Sequence, residues 1–180
     1  MRQPVLWFVL GAAACASTTQ SPVSTGVTSS TVAVAGMPGK LTVTSSATAS
    51  VTTLTAPVDR VWQVVPAILD SLGIKVSLID PASHTIGVEQ MKVRVQLGST
   101  PLSRYLDCGQ TQIGQNADSY EVLLNVIVRV QASPTGGSSL HTLFDAVARP
   151  IAFRQDYSRC SSKGLFESRV ADAVKKKLQP

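Results

Sequence analysis

From Val58 to Leu72 the apolar residues fall on one stripe at helical spacing: Val58, Val61, Trp62, Val65, Ile68, Leu69 and Leu72, with Asp59, Arg60, Gln63 and Asp70 elsewhere. The spacing predicts a helix over residues 58–72. Pro57 suits the first turn, where its missing N–H is not needed, and Gly73 suits the left-handed residue that ends a helix. Pro66 removes one internal hydrogen bond and should bend the helix, and Trp62 is expected to anchor the stripe in the core.

Downstream the apolar period changes from about 3.6 to two. Strands are predicted at residues 75–79, 85–97 with a break near Gln90, 120–132 and 139–149. Asp80-Pro81-Ala82-Ser83 closes one hairpin and Ser133-Pro134-Thr135-Gly136-Gly137 another. In the third strand Tyr120, Val122, Leu124, Val126, Val128 and Val130 share a face that must pack on a core. The opposite face mixes Glu121, Asn125 and Arg129 with Leu123 and Ile127, and the fourth strand sets Leu143 and Val147 among His141, Asp145 and Arg149. Antiparallel sheets tolerate one solvated face, so this is a partly apolar surface or a contact face for a partner or for the preceding chain.

The three- and four-residue spacing returns in Leu165, Phe166, Val170, Ala173, Val174 and Leu178, predicting a second helix over about 162–178. Ser161 or Ser162 is expected to cap it, and Lys175-Lys176-Lys177 lies where positive charge complements the helix dipole. Those lysines read as a solvated helix end, with an acidic-lipid or peptidoglycan contact as the rival. With a strand ahead of the first helix, the order is strand, helix, antiparallel strands, helix. This gives an α+β fold of two layers, an antiparallel sheet with two helices packed on one face, helix-grip-like in form.

The N-terminus follows neither pattern. Arg2 precedes an apolar run from Pro4 to Ala14 that ends at Cys15, and such a start reads as a targeting segment removed by cleavage. It resembles a bacterial lipoprotein signal, with residues 1–14 as the signal segment and acyl groups carried on Cys15. Ala12 stands where the lipobox usually has leucine, and Ala12 with Ala14 also fits ordinary secretory cleavage, so both routes stay open. An uncleaved anchor fits poorly, because the run falls well short of the roughly twenty residues that span a bilayer. The resemblance implies a membrane partner through the Cys15 lipid. Ala16, in place of the aspartate that favours inner-membrane retention, implies the outer membrane facing the periplasm.

Export makes the remaining cysteines, Cys108 and Cys160, an even number in a compartment where disulfides persist, and one disulfide between them is expected. His84 and His141 stand alone and there is no C-x-x-C, so neither a metal site nor a cofactor is expected. No general base neighbours either cysteine in sequence to make it a nucleophile.

Residues 15–40 are rich in Ser, Thr, Val and Ala, and no acidic residue occurs before Asp59. This composition predicts a polar, extended tether, with the Thr31–Ala35 alternation as an optional edge strand. Residues 41–180 then form a single domain. Within it Gly98–Ser119 is a connection of unusual length, and such connections are commonly functional. It supplies the candidate partner or ligand contacts Arg104, Tyr105 and Asp107.

The stretch Thr55-Ala56-Pro57-Val58-Asp59-Arg60-Val61-Trp62, followed by Leu69-Asp70-Ser71-Leu72-Gly73-Ile74-Lys75-Val76 and Asp80 to Ile86, resembles the opening of the repeated domains in the C-subunit lipoprotein of the outer-membrane β-barrel assembly machinery. That family carries two such domains and this chain has room for one. The resemblance implies a helix-grip domain on a lipid-anchored tether, of structural or adaptor type, with an envelope protein as partner. The same opening also resembles START-like and polyketide-cyclase-like helix-grip proteins, which implies the alternative, a periplasmic or secreted binder of an apolar small molecule or lipid.

No G-x-S-x-G, H-E-x-x-H or phosphate-binding glycine loop occurs, so no catalytic residue is assigned and a non-enzyme is expected. Asp107, His141 and Asp145 are the residues whose convergence would change that. The net charge of +5 is modest, and in an exported protein it suits an anionic envelope surface better than nucleic acid.

Overall fold

A computed structural model describes residues 49–179. The signal segment, Cys15, the tether and the Thr31–Ala35 strand all lie outside the described residues. Among the described residues no helix is long and apolar enough to cross a membrane.

The chain opens with β1 (Ser50–Leu54), α1 (Val58–Ser71), β2 (Leu78–Asp80) and β3 (Thr85–Val93). A connection follows, holding β4 (Gln96–Leu97), β5 (Thr100–Pro101), a 3-10 turn (Leu102–Arg104), β6 (Leu106–Asp107), β7 (Gln110–Thr111), β8 (Gly114–Gln115) and α2 (Asn116–Ser119). The long strands β9 (Glu121–Ala132) and β10 (Ser138–Arg149), then β11 (Ser158–Ser162) and α3 (Leu165–Leu178), complete the domain. One seven-stranded sheet runs β2-β3-β9-β10-β11-β6, and β1 joins it along the half of the β10 edge that β11 leaves uncovered. Every strand pairing is antiparallel, giving the α+β architecture that the sequence predicts.

Strict alternation builds the core. Val122, Leu124, Val126, Val128 and Val130 of β9 and Leu140, Phe144, Ala146 and Ala148 of β10 are buried, while the residues between them are mostly half-buried on the open face. In β3 the alternation survives an irregularity. Ile86 and Val88 pair with Val128 and Val126, one extra residue bulges at Glu89–Gln90, and Met91 and Val93 then pair with Leu124 and Val122. The bulge reverses the parity of the strand, so both halves turn apolar side chains to the same face. Gln90 has φ 52°, and its N–H donates to Asn125 Oδ1 at 2.8 Å. Gly87 lies where a Cβ would fall 1.9 Å from the Val126 carbonyl oxygen, so only glycine fits that approach.

The helices lie on the buried face and touch each other. α1 contributes Val61, Val65, Ile68 and Leu69, and α3 contributes Phe166, Val170 and Val174. Phe144 and Phe166 stack at 4.4 Å between centroids, and Tyr105 packs at 6.1 Å from each. Pro66 is tolerated because it falls on the exposed side of α1. Gly73, at φ 84°, ends α1 as predicted, with its N–H on the Asp70 carbonyl and Ile74 N–H on that of Leu69.

Several details depart from the sequence reading, among them the end of β3 at Val93 and the position of Tyr120 ahead of β9. Pro57 precedes α1 in an extended conformation instead of occupying its first turn, and its carbonyl accepts the Val61 N–H at 3.2 Å. Trp62 is only half-buried, edge-on to His84 at 5.6 Å, because the stripe is wider than the face that meets the sheet. Residues 75–77 precede β2 and are not part of it. Ser161 and Ser162 belong to β11, so α3 starts at Leu165 after Gly164 at φ 77°. Ser162 still serves the helix start: its Oγ accepts the Gly164 N–H at 3.1 Å and donates to Glu167 Oε1 at 2.7 Å.

The aromatic stack therefore replaces Trp62 as the anchor. Phe166→Ala is expected to cost about 3–5 kcal/mol and Trp62→Ala less than half of that, measured by urea unfolding of the two variants; equal losses would contradict this assignment.

Candidate contact surface

The 98–119 connection is a compact cap held to the body by its own polar groups. Lys163 N–H donates to the Tyr105 carbonyl at 2.8 Å, Lys163 Nζ to the Ser103 carbonyl at 2.8 Å, and Arg169 Nη1 to Thr100 Oγ1 at 2.8 Å. Ser103 N–H donates to Asp118 Oδ1 at 2.8 Å, and Asn116 Nδ2 to the Cys108 carbonyl at 3.1 Å. Ser161 and Ser162 of β11 pair with Asp107 and Leu106 of β6. The disulfide joins Cys108 to Cys160, 52 residues apart in sequence, with Cα atoms 4.3 Å apart. For a loop of that length the chain-entropy model gives about 4 kcal/mol of stabilisation.

The three contact candidates in this connection separate. Tyr105 is 1% exposed and belongs to the core. Its hydroxyl accepts a hydrogen bond from Arg169, whose guanidinium also lies 5.3 Å from the Tyr105 ring centroid. Its ring is thus no surface contact. Arg104 is exposed at the end of the 3-10 turn, and Asp107 is exposed with Oδ1 accepting the Gly109 N–H at 2.9 Å. Asp107 lies on β6 at the sheet margin, whereas His141 and Asp145 occupy the open face of β10, roughly 13 Å apart at strand rise. The three do not converge. His141 Nε2 lies 3.2 Å from Ser139 Oγ, and burial followed by the charge of Arg129 pushes its pKa down, which favours a neutral ring. Among the described residues no group of three or more His, Cys, Asp or Glu side chains could hold a metal ion.

Beyond the disulfide the chain exposes large apolar side chains. Ile113, at the tip of the β7–β8 hairpin, is 91% exposed, and Ile151 and Phe153, in the loop from β10 to β11, are 48% and 62% exposed. With Tyr120, Pro150 and Ala152 they line an open cleft of about 540 Å³. Scattered single apolar residues are ordinary on a surface, but three on two adjoining loops form a patch of the kind that contacts mark. Comparisons with protein-family models, curated proteins and solved structures give no match.

Both loops are fixed at their bases. The hairpin follows directly from Cys108, and Glu121 clamps the other loop. Glu121 Oε1 accepts from Tyr157 Oη at 2.6 Å and from Arg149 Nη2 at 2.9 Å, and Oε2 meets Lys92 Nζ at 2.9 Å. The Arg149 guanidinium also sits 4.6 Å from the Tyr157 ring centroid. The Tyr157 hydrogen bond, then Lys92 and Arg149, hold the Glu121 carboxyl down at about 2, and the bond to Glu121 pushes the Tyr157 hydroxyl above its usual range.

Sequence reasoning missed the tip. Its signal was the set of large apolar residues in segments of turn composition, Gln112-Ile113-Gly114 and Pro150-Ile151-Ala152-Phe153-Arg154.

A carboxylate whose folded pKa is depressed stabilises the fold above its unfolded pKa, and that contribution is lost as pH falls through the folded value. The Glu121 clamp is therefore expected to survive through pH 4 and to open near pH 2. Following the Glu121 side-chain carboxyl carbon by NMR checks this: Tyr157→Phe should move the midpoint upward, and a wild-type midpoint near 4 would contradict the clamp.

Proposed function

We propose that this chain is a lipid-anchored, non-catalytic adaptor of the bacterial cell envelope. It is acylated at Cys15 and held at the outer membrane facing the periplasm, and it presents its apolar tip to an envelope protein. The observation that carries the reading is the exposure of Ile113, Ile151 and Phe153 on loops tied down by Cys108–Cys160 and by Glu121. An apolar surface that is already ordered loses little conformational freedom when it meets a partner. The lipobox-like start, the Ser/Thr-rich segment after it and the resemblance to the assembly-machinery C-subunit add to it from the sequence.

The alternative, a carrier of an apolar ligand between sheet and helices, finds less support. Phe144, Phe166, Tyr105, Val65 and Leu69 fill that space and are 2% exposed or less. The nucleic-acid reading gains little from the tip, where Arg154 is the one cation in segments 110–115 and 150–154.

Two measurements test the reading separately. Intact mass of the membrane-extracted protein, expressed with its own leader in a Gram-negative host, is expected to equal the chain from Cys15 plus diacylglyceryl and acyl groups, and Cys15→Ser should remove the added mass. Photo-crosslinking residues placed at Ile113 and Phe153 in the native envelope are expected to give the same protein adduct, with none from Thr53. The double change Ile113→Ser with Phe153→Ser should abolish association and shift stability by no more than about 0.5 kcal/mol. Absence of a shared adduct would refute the tip as the contact.

A further inference from the structure

A second feature, independent of the tip, lies at the opposite end of the sheet. β2 is the first strand in the order β2-β3-β9-β10-β11-β6, and only its β3 side is paired: Leu78 with Gly87, Ile79 with Ile86 and Asp80 with Thr85. Ser77 extends that pairing by donating its N–H to the Gly87 carbonyl at 3.0 Å. The outer backbone of residues 77–80 has no strand partner among the described residues. The residues leading into and out of β2 are all described, and β1, through which the chain enters the domain, lies beyond β3, β9 and β10.

Apolar surface and carboxylates accompany this edge. Ile79 shares the side of Ile86, the side that carries α1, yet it is 60% exposed while Ile86 is fully buried. The cover over β3 therefore stops short of β2. At 100° per residue Asp59, Trp62, Pro66 and Asp70 fall on one flank of α1. The edge-on contact of Trp62 with His84, 5.6 Å between centroids, turns that flank toward the β2–β3 hairpin. Asp59 and Asp70 are exposed on it, with Asp59 Oδ1 3.7 Å from His84 Nε2. Arg60, the one cation of α1, falls away from it, and between Leu72 and His84 the charges of Lys75 and Asp80 offset each other. Two carboxylates are thus left along an apolar strand edge, in a chain whose net charge is +5.

We infer that the outer edge of β2 takes up an extended basic segment of a partner protein as an added strand, with an apolar residue of that segment on Ile79 and lysines two positions before and after it on Asp59 and Asp70. An unpaired strand edge recognises any extended backbone, and alternate side chains supply the selectivity. Residues directly opposite across a strand pair share a face, so the residue opposite Ile79 points to the α1 side. Its neighbours at two positions either way point there too, about 13 Å from each other. Asp59 and Asp70 stand roughly 16 Å apart at helix rise, a difference the flexible lysine stems cover. Exposed ion pairs are weak one at a time, so backbone pairing holds the segment and the two charges choose it.

The test uses the isotope-labelled full chain carrying Cys15→Ser, titrated at low salt with acetyl-Lys-Thr-Ile-Thr-Lys-amide and observed by NMR. The expected result is saturable shifts at the amides of residues 77–80 and at the Trp62 indole N–H. Binding should weaken roughly fivefold when norleucine replaces both peptide lysines, and by a similar factor when Asp59→Asn and Asp70→Asn are combined. The norleucine peptide leaves the protein untouched, so the comparison stands whatever the double variant does to α1. Alternate peptide amides face β2, so N-methylation at the isoleucine, or at both threonines, should abolish binding in one case and spare it in the other. Absence of saturable shifts, including the case in which this chain's own N-terminal residues occupy the edge, would overturn the inference. So would equal binding of the lysine and norleucine peptides, or of the two N-methylated ones.

Discussion

The register of β9 against β10 is the constraint on which the rest of the molecule depends. It runs unbroken from Ser138↔Ala132 to Arg149↔Glu121, and along it the two strands alternate buried and half-buried residues with a period of two. A slip of one residue would turn Val122 to Val130 outward and bring Glu121, Asn125 and Arg129 under the helices, so burial itself locks the pairing. The other elements take their positions from that lock. β3 needs its bulge only to stay in phase with β9, α1 and α3 pack on the face the register buries, and β1 and β11 divide the free edge of β10 between them. Even the Glu121 clamp follows, since Arg149 is the cross-strand neighbour of Glu121 in the last pair.

How far the fold could be read from the sequence follows from how local its causes are. α1, the two long strands, both hairpin turns and the irregularity near Gln90 each announce themselves within about a dozen residues, through period, glycine, proline or a polar residue breaking an alternation. The Cys108–Cys160 pairing was legible from arithmetic once Cys15 was set aside. β11 was not, because Ser158-Arg159-Cys160-Ser161-Ser162 has no apolar alternation; it is a strand because β10 and β6 offer it backbone partners. Tyr105 looked like a surface residue in a polar connection, and its burial depends on Phe144 and Phe166, which arrive from distant parts of the chain. Trp62 misled for the converse reason. Helical periodicity marks a stripe, but only the partner surface decides how much of that stripe is covered.

The division of the described residues into a filled interior and an open apolar margin shapes the functional reading. Between sheet and helices, aromatic and branched side chains fill the space, and on the open face Glu121 holds Lys92, Arg149 and Tyr157. What remains lies at the margin: the apolar tip on the loops beside the disulfide. The tip sits where backbone register ends and side chains are released from the alternation that governs the rest.

The position of β1 has a mechanical consequence. It is the first described strand, so a pull on the chain ahead of Ser50 enters the domain through its five cross-strand pairs with β10, while a pull on the tip enters through loops tied to β9, β10 and β11. Tension between these two points would run along β10 itself. The pairs of β1 would be the fuse, yielding before the covalently closed segment from Cys108 to Cys160 could lengthen.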